Sequence, residues 1–384
     1  MTGALPFRLP APAAGKIDLL VIAGEHSGDE HAARMVAAVR LLRPGVRIAA
    51  LGGPRLAGAG AQLLHDLTGS SVVGLVEVLR NLSFFRALFE ATLRWIADYR
   101  PSAVCFVDYP GLNLRLAEAL RLRGLSSKGG GNIRSLYYIS PQIWAWKADR
   151  RFELARNLDA LAVIFPFETE CYADTGLPVE FVGHPFVAPD YAPPVRYDPD
   201  GPVLLLPGSR RQSVGRIFPA LLAGYRQFAK DRPGRGAVVL YPSASIRTQL
   251  ESLSPPADVR LEPTGSPVAA SAVLTSSGTM SMQCALAGLP GAIAYRTNPL
   301  TYVMARWLVR VPFIGIANLL LGEPVYPEFI QNAASPDALA RELESCIADP
   351  ARRARTAAQS ARLKALLARP AGENEAGWLA RNLP

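Results

Sequence analysis

The feature that most constrains this chain is an alternation of short apolar, β-branched runs with longer helical patterns, which continues along most of its length. Strands separated by helices predict parallel sheets built from βαβ units. The helical pattern is clearest at 30–42, where Met35, Val36, Val39 and Leu42 share one apolar face. The predicted strands are 17–23, 47–51, 103–107, 135–139 and 161–165 in the first half, and 203–206, 237–241, 271–275 and 291–295 in the second.

A Pro- and Asp-rich segment at 185–202 interrupts this alternation and predicts a linker. A chain of 384 residues is long enough for two domains. We therefore predict an α/β protein with two doubly wound, Rossmann-like domains, at 1–190 and 200–384, of which the second ends in a helical tail. Such sheets bind ligands at the carboxyl ends of their strands, so an interdomain cleft is the expected ligand site.

The charge balance indicates the kind of partner, and the cysteine content indicates the cellular compartment. Lys plus Arg total 41 against 32 Asp plus Glu, which gives a net charge of +9 although only 19% of the residues are charged. This balance predicts an anionic partner, and the absence of a nucleic-acid-binding module favours a membrane surface or a phosphorylated substrate over nucleic acid. Four scattered cysteines without a CxxC pair indicate a reducing cytoplasm. We expect neither a signal peptide nor a membrane-spanning helix.

Two polar segments follow predicted strands of the first domain. The segment 24–29 (GEHSGD) opens a helix, where glycines allow a tight turn and free N–H groups face a ligand oxygen. A plain turn in which Ser27 or Asp29 caps the helix is the alternative. Asp108 follows the strand at 103–107 and is a candidate general base for a substrate hydroxyl, a role worth about 10²–10⁴-fold in rate. Its alternative role is also a helix cap.

Aromatic and Gly-containing segments supply further candidates. Trp144 lies in 137–147 (YYISPQIWAWK), which is typical of a wall that contacts a sugar or an acyl chain, or else packs between domains. In the second domain, 206–211 (LPGSRR) and 276–279 (SSGT) predict loops whose N–H groups and arginine hold a diphosphate. The DPD sequence at 198–200 resembles a metal motif, but its Pro-rich surroundings indicate a turn.

Two stretches, 81–95 and 302–316, combine aromatic residues with arginines. This composition suits helices that lie in an anionic lipid interface. An ordinary buried helix with snorkelling arginines fits each stretch at least as well.

Taken in order, these segments resemble the lipid-A-disaccharide synthases, glycosyltransferases of family 19 with the GT-B architecture. The resemblance runs without a break in order from about 17 to 331. The matching segments are GExSGD at 24–29, GLVEVL at 74–79, DxPxxN at 108–113, SPQIWAW at 140–146, FPFE at 165–168, VGHP at 182–185, LPGSR at 206–210, SGT at 277–279, YR at 295–296, NLL at 318–320 and PEFIQ at 327–331.

The resemblance implies an inverting transfer of 2,3-diacylglucosamine from UDP to 2,3-diacylglucosamine 1-phosphate, which forms a β-1,6 disaccharide. It implies no metal ion and no cofactor, peripheral attachment to the cytoplasmic face of the inner membrane, and leaves the oligomeric state open. It makes Asp108 the base. The implied nucleotide-binding residues are Gly208, Ser209, Arg210, Ser277, Gly278, Thr279 and Gln283. The implied substrate-binding residues are Glu25, Ser27, Gly28, Asp29, Asn113, Trp144, Arg296, Asn318, Glu328 and Gln331.

Three positions depart from the family pattern. Family members usually carry Glu where this chain has Ser213 and Gln283, and Asp where it has Gly111. In related folds the second glutamate typically holds the ribose hydroxyls, so an uncharged Gln283 predicts weaker ribose binding. Two alternatives stay open: a divergent paralogue that binds UDP or lipid without catalysis or with altered specificity, and a UDP-sugar epimerase.

Overall fold

A computed structural model describes residues 7–13, 15–68, 82–230, 232, 234–298, 302, 311–370 and 373–384. The chain divides into two compact units, Met1–Pro185 together with Arg369–Pro384, and Phe186–Ala368. The motif at 74–79 lies outside the described residues, as do residue 81 of the stretch 81–95 and residues 303–310 of the stretch 302–316.

The first unit is built on a parallel sheet in the order β3-β2-β1-β4-β5-β6-β7. Its central strands are continuous apolar runs that are buried on both faces, as the helices covering a parallel sheet require. The strands are β1 (Leu19–Ala23), β2 (Ile48–Gly52), β3 (Gln62–Asp66), β4 (Ala103–Val107), β5 (Arg134–Tyr138), β6 (Ala160–Val163) and β7 (Val179–Phe181). The helices are α1 (His26–Leu42), α2 (Pro54–Gly58), α3 (Leu82–Tyr99), α4 (Pro110–Leu122) and α5 (Arg150–Asn157).

The second unit repeats this topology with a parallel sheet in the order β11-β10-β9-β13-β14-β15 and a two-stranded ribbon of β8 and β12. Its strands are β8 (Val195–Tyr197), β9 (Val203–Leu206), β10 (Ala237–Tyr241), β11 (Val259–Pro263), β12 (Val268–Ala270), β13 (Ala272–Thr275), β14 (Gly291–Tyr295) and β15 (Glu328–Ile330). Its helices are α6 (Arg211–Ala229), α7 (Ala244–Ser252), α8 (Thr279–Leu286), α9 (Ile316–Leu321), α10 (Pro336–Ala348) and α11 (Pro350–Leu367).

The last helix, α12 (Glu375–Asn382), belongs to the first unit. Trp378 and Leu379 are buried where α12 packs against α1 and β6. The Arg381 guanidinium also donates to the Glu180 carboxylate in β7. The sequence prediction that the whole helical tail lies in the second domain is therefore wrong for this helix, because its apolar face completes the first core.

All nine predicted strands are present within two or three residues of their expected ends. The segment at 185–202 is more structured than a linker, because Val195–Tyr197 pairs in parallel with Val268–Ala270. None of the described helices is both long enough and apolar enough to cross a bilayer.

Candidate functional site

The turn after β4 holds Asp108 in an unusual backbone conformation. Asp108 and Tyr109 have φ angles of 47° and 49°, in the left-handed region that costs a non-glycine residue about 1–3 kcal/mol. Hydrogen bonds fix the Asp108 backbone. Its N–H donates to the Tyr138 carbonyl at 3.0 Å, and its carbonyl accepts from the Tyr137 hydroxyl at 2.6 Å and from the Asn113 amide at 2.7 Å. These hydrogen bonds hold the strained backbone in place and so fix the position of the Asp108 carboxyl group.

The electrostatics of this turn suit a general base. Burial and the Glu25 carboxylate raise the pKa of Asp108, a hydrogen bond from the Tyr109 N–H lowers it, and the net result is a pKa of about 6. A base is most effective when its pKa lies near the working pH. At neutral pH the Asp108 carboxylate is ionised, yet basic enough to take a proton from a hydroxyl group.

The segment at 24–29 divides into an exposed part and a structural part. A Cβ atom on Gly24 would lie 2.1 Å from the Tyr109 ring, so the turn after β1 requires glycine there. Glu25 and Ser27 are exposed and Gly28 is buried in the first turn of α1. The buried Asp29 carboxylate accepts N–H bonds from Gly53 and others at the start of α2. Asp29 thus caps the neighbouring helix, and its predicted substrate contact stays a prediction.

Asn113 is likewise a structural residue in this fold. It is fully buried in α4, and its amide nitrogen also donates weakly to the carbonyls of Ile22 and Val107. No part of the Asn113 side chain is accessible in this structure, and its predicted contact with substrate stays a prediction. Its amide instead positions the peptide of Asp108.

Trp144 is tied to a buried carboxyl group. Its indole N–H donates to Glu168 Oε1 at 3.3 Å, and Glu168 Oε2 accepts from the Phe165 N–H at 3.1 Å. Burial, with a smaller contribution from the Asp108 charge, raises the pKa of Glu168 to about 8, although the hydrogen bonds from Phe165 and Trp144 act in the opposite direction. The carboxyl group therefore holds the Trp144 loop beside Asp108 and β6. The FPFE motif marks Glu168 in the sequence, but nothing in the sequence indicates its burial.

The described loops of the second unit meet at the carboxyl edge of its sheet. Gly208 adopts φ 106°, and a Cβ atom there would lie 3.3 Å from Ser276 Oγ, so the two predicted loops touch. Ser209, Arg210, Gly278 and Thr279 are exposed beside this contact. Exposed N–H groups at the start of α8 and an exposed guanidinium together fit an anion such as a diphosphate.

Asn318 and Glu328 stabilise the segments next to these loops through hydrogen bonds. The Glu328 carboxylate accepts from the N–H groups of Ile314 and Gly315 and from Asn318 Nδ2 at 2.8–3.1 Å. The Ser277 hydroxyl donates to the Ile314 carbonyl at 2.7 Å. Asn318 is 1% exposed, and its predicted contact with substrate stays a prediction. Both carboxylate oxygens of Glu328 accept from backbone N–H groups, so Glu328 also stabilises this region.

Arg296 and Gln331 follow β14 and β15. The Gln331 amide bonds both the N–H and the carbonyl of Thr297, at 3.0 and 3.1 Å. Arg296 donates from Nη2 to the Ala334 carbonyl at 2.8 Å, while its buried Nε has no partner among the described residues. Arg296 is therefore the member of this pair with a donor that is unsatisfied among the described residues.

Gln283 faces the segment that precedes β8. Its amide nitrogen donates to the Tyr191 hydroxyl at 2.5 Å, and its buried carbonyl oxygen has no partner among the described residues. It lines a cavity of about 310 Å³ with Phe186 and Lys364. The amide has one acceptor left for a ligand hydroxyl.

No three His, Cys, Asp or Glu side chains of the described ranges lie together as metal ligands. In the DPD sequence, Asp198 Oδ1 accepts from the Asp200 N–H at 3.1 Å, which confirms the predicted turn.

Solved structures with the same architecture define the class of this fold. The calicheamicin glycosyltransferase CalG4 superposes with a TM-score of 0.54 at 16% identity, covering 95% of this chain and 97% of that one. A putative UDP-N-acetylglucosamine 2-epimerase from Listeria monocytogenes gives 0.59 at 12% identity, covering 91% and 94%. The predicted GT-B architecture is confirmed: the chain has the fold of the GT-B glycosyltransferases.

Sequence relatives narrow this class. The family model for lipid-A-disaccharide synthetase matches residues 19–381. The lipid-A-disaccharide synthase of Geobacter sulfurreducens is 35% identical over 362 residues, covering 90% of this chain and 92% of the relative. That of Nitrosococcus oceani is 35% identical over 350 residues, covering 87% and 88%. The chain belongs to the lipid-A-disaccharide synthase family, as the motif series predicts, and its activity is a glycosyl transfer.

Proposed function

We propose that this enzyme transfers 2,3-diacylglucosamine from UDP to the 6-hydroxyl of 2,3-diacylglucosamine 1-phosphate, with inversion at the anomeric carbon. The observation that carries the proposal is Asp108, whose strained and firmly bonded turn presents a carboxylate of raised pKa. The carboxylate takes the hydroxyl proton, the oxygen bonds to the anomeric carbon, and the bond from that carbon to the diphosphate breaks. UDP leaves with the electron pair.

The UDP diphosphate is assigned to the second unit. Arg210, Ser209, Gly278 and Thr279 support this assignment, because they are exposed at the carboxyl edge of its sheet beside the start of α8. A guanidinium and helix N–H groups stabilise the charge that develops on the leaving group. In this scheme the protein's own donors supply that stabilisation, without a metal ion or a cofactor.

We propose that the reaction takes place at the cytoplasmic face of the inner membrane. Two acylated substrates reside in or at a bilayer, and the net charge of +9 favours attraction to its anionic lipids. Peripheral attachment serves such substrates without a membrane-spanning segment.

The direct test is to incubate the purified chain with UDP-2,3-diacylglucosamine and 2,3-diacylglucosamine 1-phosphate in detergent micelles. We expect disaccharide and UDP in equal amounts by mass spectrometry. The Geobacter sulfurreducens relative serves as the positive control. If the control forms product and this chain forms none, the proposal fails. Turnover of UDP-N-acetylglucosamine without acyl chains would instead favour an epimerase.

The pH dependence of the reaction follows from the pKa of Asp108. Since the base acts when ionised, kcat/KM should fall as the pH drops through about 6. Glu25→Gln removes a negative charge that raises this pKa, so the acid limb should move to lower pH. The measurement is kcat/KM against pH for both proteins.

The matched control is Glu118→Gln, which removes the same charge from an exposed position on α4. Its profile should coincide with that of the unchanged enzyme. An acid limb that stays in place in Glu25→Gln would show that Asp108 does not set it.

A further inference from the structure

The loop after β5 carries a half-exposed aromatic residue flanked by two cations. The Trp146 side chain is 49% exposed. Lys147 Nζ lies 4.6 Å from the centre of its ring, and the Arg150 guanidinium carbon lies 5.3 Å from it. Cation–π attraction at these distances holds both side chains beside the indole. We call Trp146, Lys147 and Arg150 the Trp146 patch.

The backbone of the patch is fixed as well as its side chains. Lys147 adopts φ 56°, which is uncommon for a residue with a side chain. The Arg150 N–H donates to the Lys147 carbonyl at 3.0 Å and so closes a turn before α5. The two cations are therefore held on one short turn.

Neither cation of the patch is ion-paired with an acid among the described residues. The adjacent Arg151 is bound to the Asp174 carboxylate at 2.7 Å and lies 3.8 Å from Asp149. Throughout the described part of the chain, no carboxylate lies within 4.0 Å of Lys147 or Arg150. Asp149 also lies on this turn, but Lys147 and Arg150 outnumber it, so the turn keeps a net positive charge that favours an anion.

The proposed base follows β4 and the patch follows β5, and because these two strands are adjacent and parallel, both segments leave the sheet at its carboxyl edge. Burial holds the pKa of the Tyr137 hydroxyl well above its ordinary value, and the nearby Arg150 charge acts in the opposite direction. That hydroxyl donates to the Asp108 carbonyl at 2.6 Å. Arg150 is thus close enough to act on the group that bonds to the peptide of Asp108.

We propose that the Trp146 patch binds the phosphate monoester of the acceptor sugar while Asp108 receives the proton of its hydroxyl group. This inference rests on the proposed function. A phosphate monoester carries between one and two negative charges at neutral pH. The Arg150 guanidinium offers it two parallel N–H donors, and Lys147 adds a point charge. The patch then distinguishes the acceptor from the donor. The acceptor carries a phosphate monoester, whereas the diphosphate of the donor is esterified at both ends.

A flat anionic membrane surface is the competing ligand for aromatic and cationic residues. Arg150 is only partly exposed, and its charge acts on Tyr137 in the interior. A guanidinium in that position reaches a single phosphate that enters beside Asp108 more readily than the plane of a bilayer. These two features favour the sugar phosphate.

The test measures equilibrium binding of 2,3-diacylglucosamine 1-phosphate and of its dephosphorylated counterpart in detergent micelles. The full-length variants are Arg150→Gln, Lys147→Gln and Arg150→Lys, each checked for an unchanged circular dichroism spectrum. Arg156→Gln is the matched control, because it removes one exposed positive charge from the far end of α5. Binding to vesicles of phosphatidylglycerol and phosphatidylcholine is measured in parallel.

We expect Arg150→Gln to raise the Kd for the phosphorylated sugar by about 10- to 100-fold, as the loss of a hydrogen bond to a charged group implies. The Kd for the dephosphorylated sugar should not change, and Arg150→Lys should restore part of the affinity. In turnover, the acceptor KM should rise while the donor KM stays constant.

Three outcomes would overturn the inference. They are an unchanged Kd in Arg150→Gln, an equal loss of affinity in Arg156→Gln, and a loss of vesicle binding without a change toward the sugar phosphate. If the unchanged enzyme binds the phosphorylated sugar through the patch but forms no disaccharide, the proposed function fails and the phosphate site stands.

Discussion

Asp108→Asn should lower kcat by about 10²–10⁴-fold, the contribution of a positioned general base. Asparagine matches the shape of aspartate and tolerates the left-handed backbone found at this position, so the turn should survive the change. An amide cannot take the hydroxyl proton at neutral pH. UDP binding, which we assign to the second unit, should stay unchanged by calorimetry while disaccharide formation falls.

Asp200→Asn is the matched control, because it removes an exposed carboxylate from the turn at 198–200. Its kcat should equal that of the unchanged enzyme. A kcat in Asp108→Asn within a factor of two or three of the unchanged value would remove the base assignment. A parallel loss of UDP binding would point to unfolding instead.

Asn318→Ala should lower the free energy of unfolding by about 3 kcal/mol, because it removes four buried hydrogen bonds at once. Asn318 donates to the Tyr326 carbonyl at 2.7 Å and to Glu328 at 2.9 Å, and accepts from the N–H groups of Val325 and Tyr326, both at 2.9 Å. Truncation leaves these partners buried without replacement. Because Glu328 also holds the backbone that receives the Ser277 hydroxyl, UDP binding should weaken as well.

Urea unfolding followed by circular dichroism measures the loss. The control is Asn332→Ala, an exposed asparagine close to the same loop, which should change the free energy of unfolding by no more than about 0.5 kcal/mol. A loss below 1 kcal/mol in Asn318→Ala would mean that water replaces the lost bonds and that the loop does not depend on this residue.

Periodicity and motif order are sufficient to predict the two sheets and the family. Strands such as Leu19–Ala23 and Ala103–Val107 are continuous apolar runs, so their identity and burial follow from the sequence. The edge strand Val259–Pro263 mixes exposed and buried residues, and Val195–Tyr197 has only three, so neither carries a periodic signal. Apolar burial is a local property of the chain, whereas short edge strands depend on a partner elsewhere.

The roles of polar residues were harder to predict than their positions. Asp29, Asn113 and Asn318 lie in family motifs after strands, as ligand-binding residues do, yet each is buried and bonds the backbone of another segment. A motif shows that a side chain matters, but the choice between ligand and backbone depends on which loops the fold brings near. Asp108, by contrast, directly follows β4 and is partly exposed, so its position alone was enough to predict a role as the base.

The position of α12 has a consequence for how the chain is made. The first unit closes its core with Trp378, which is 1% exposed, yet the whole second unit is synthesised before that residue. Domains generally fold in the order of synthesis, but here the first unit stays incomplete on the ribosome until the second has emerged. The N-terminal segment expressed alone would expose the apolar surface that α12 covers on α1 and β6. Completion of the first unit therefore depends on the prior synthesis of the second.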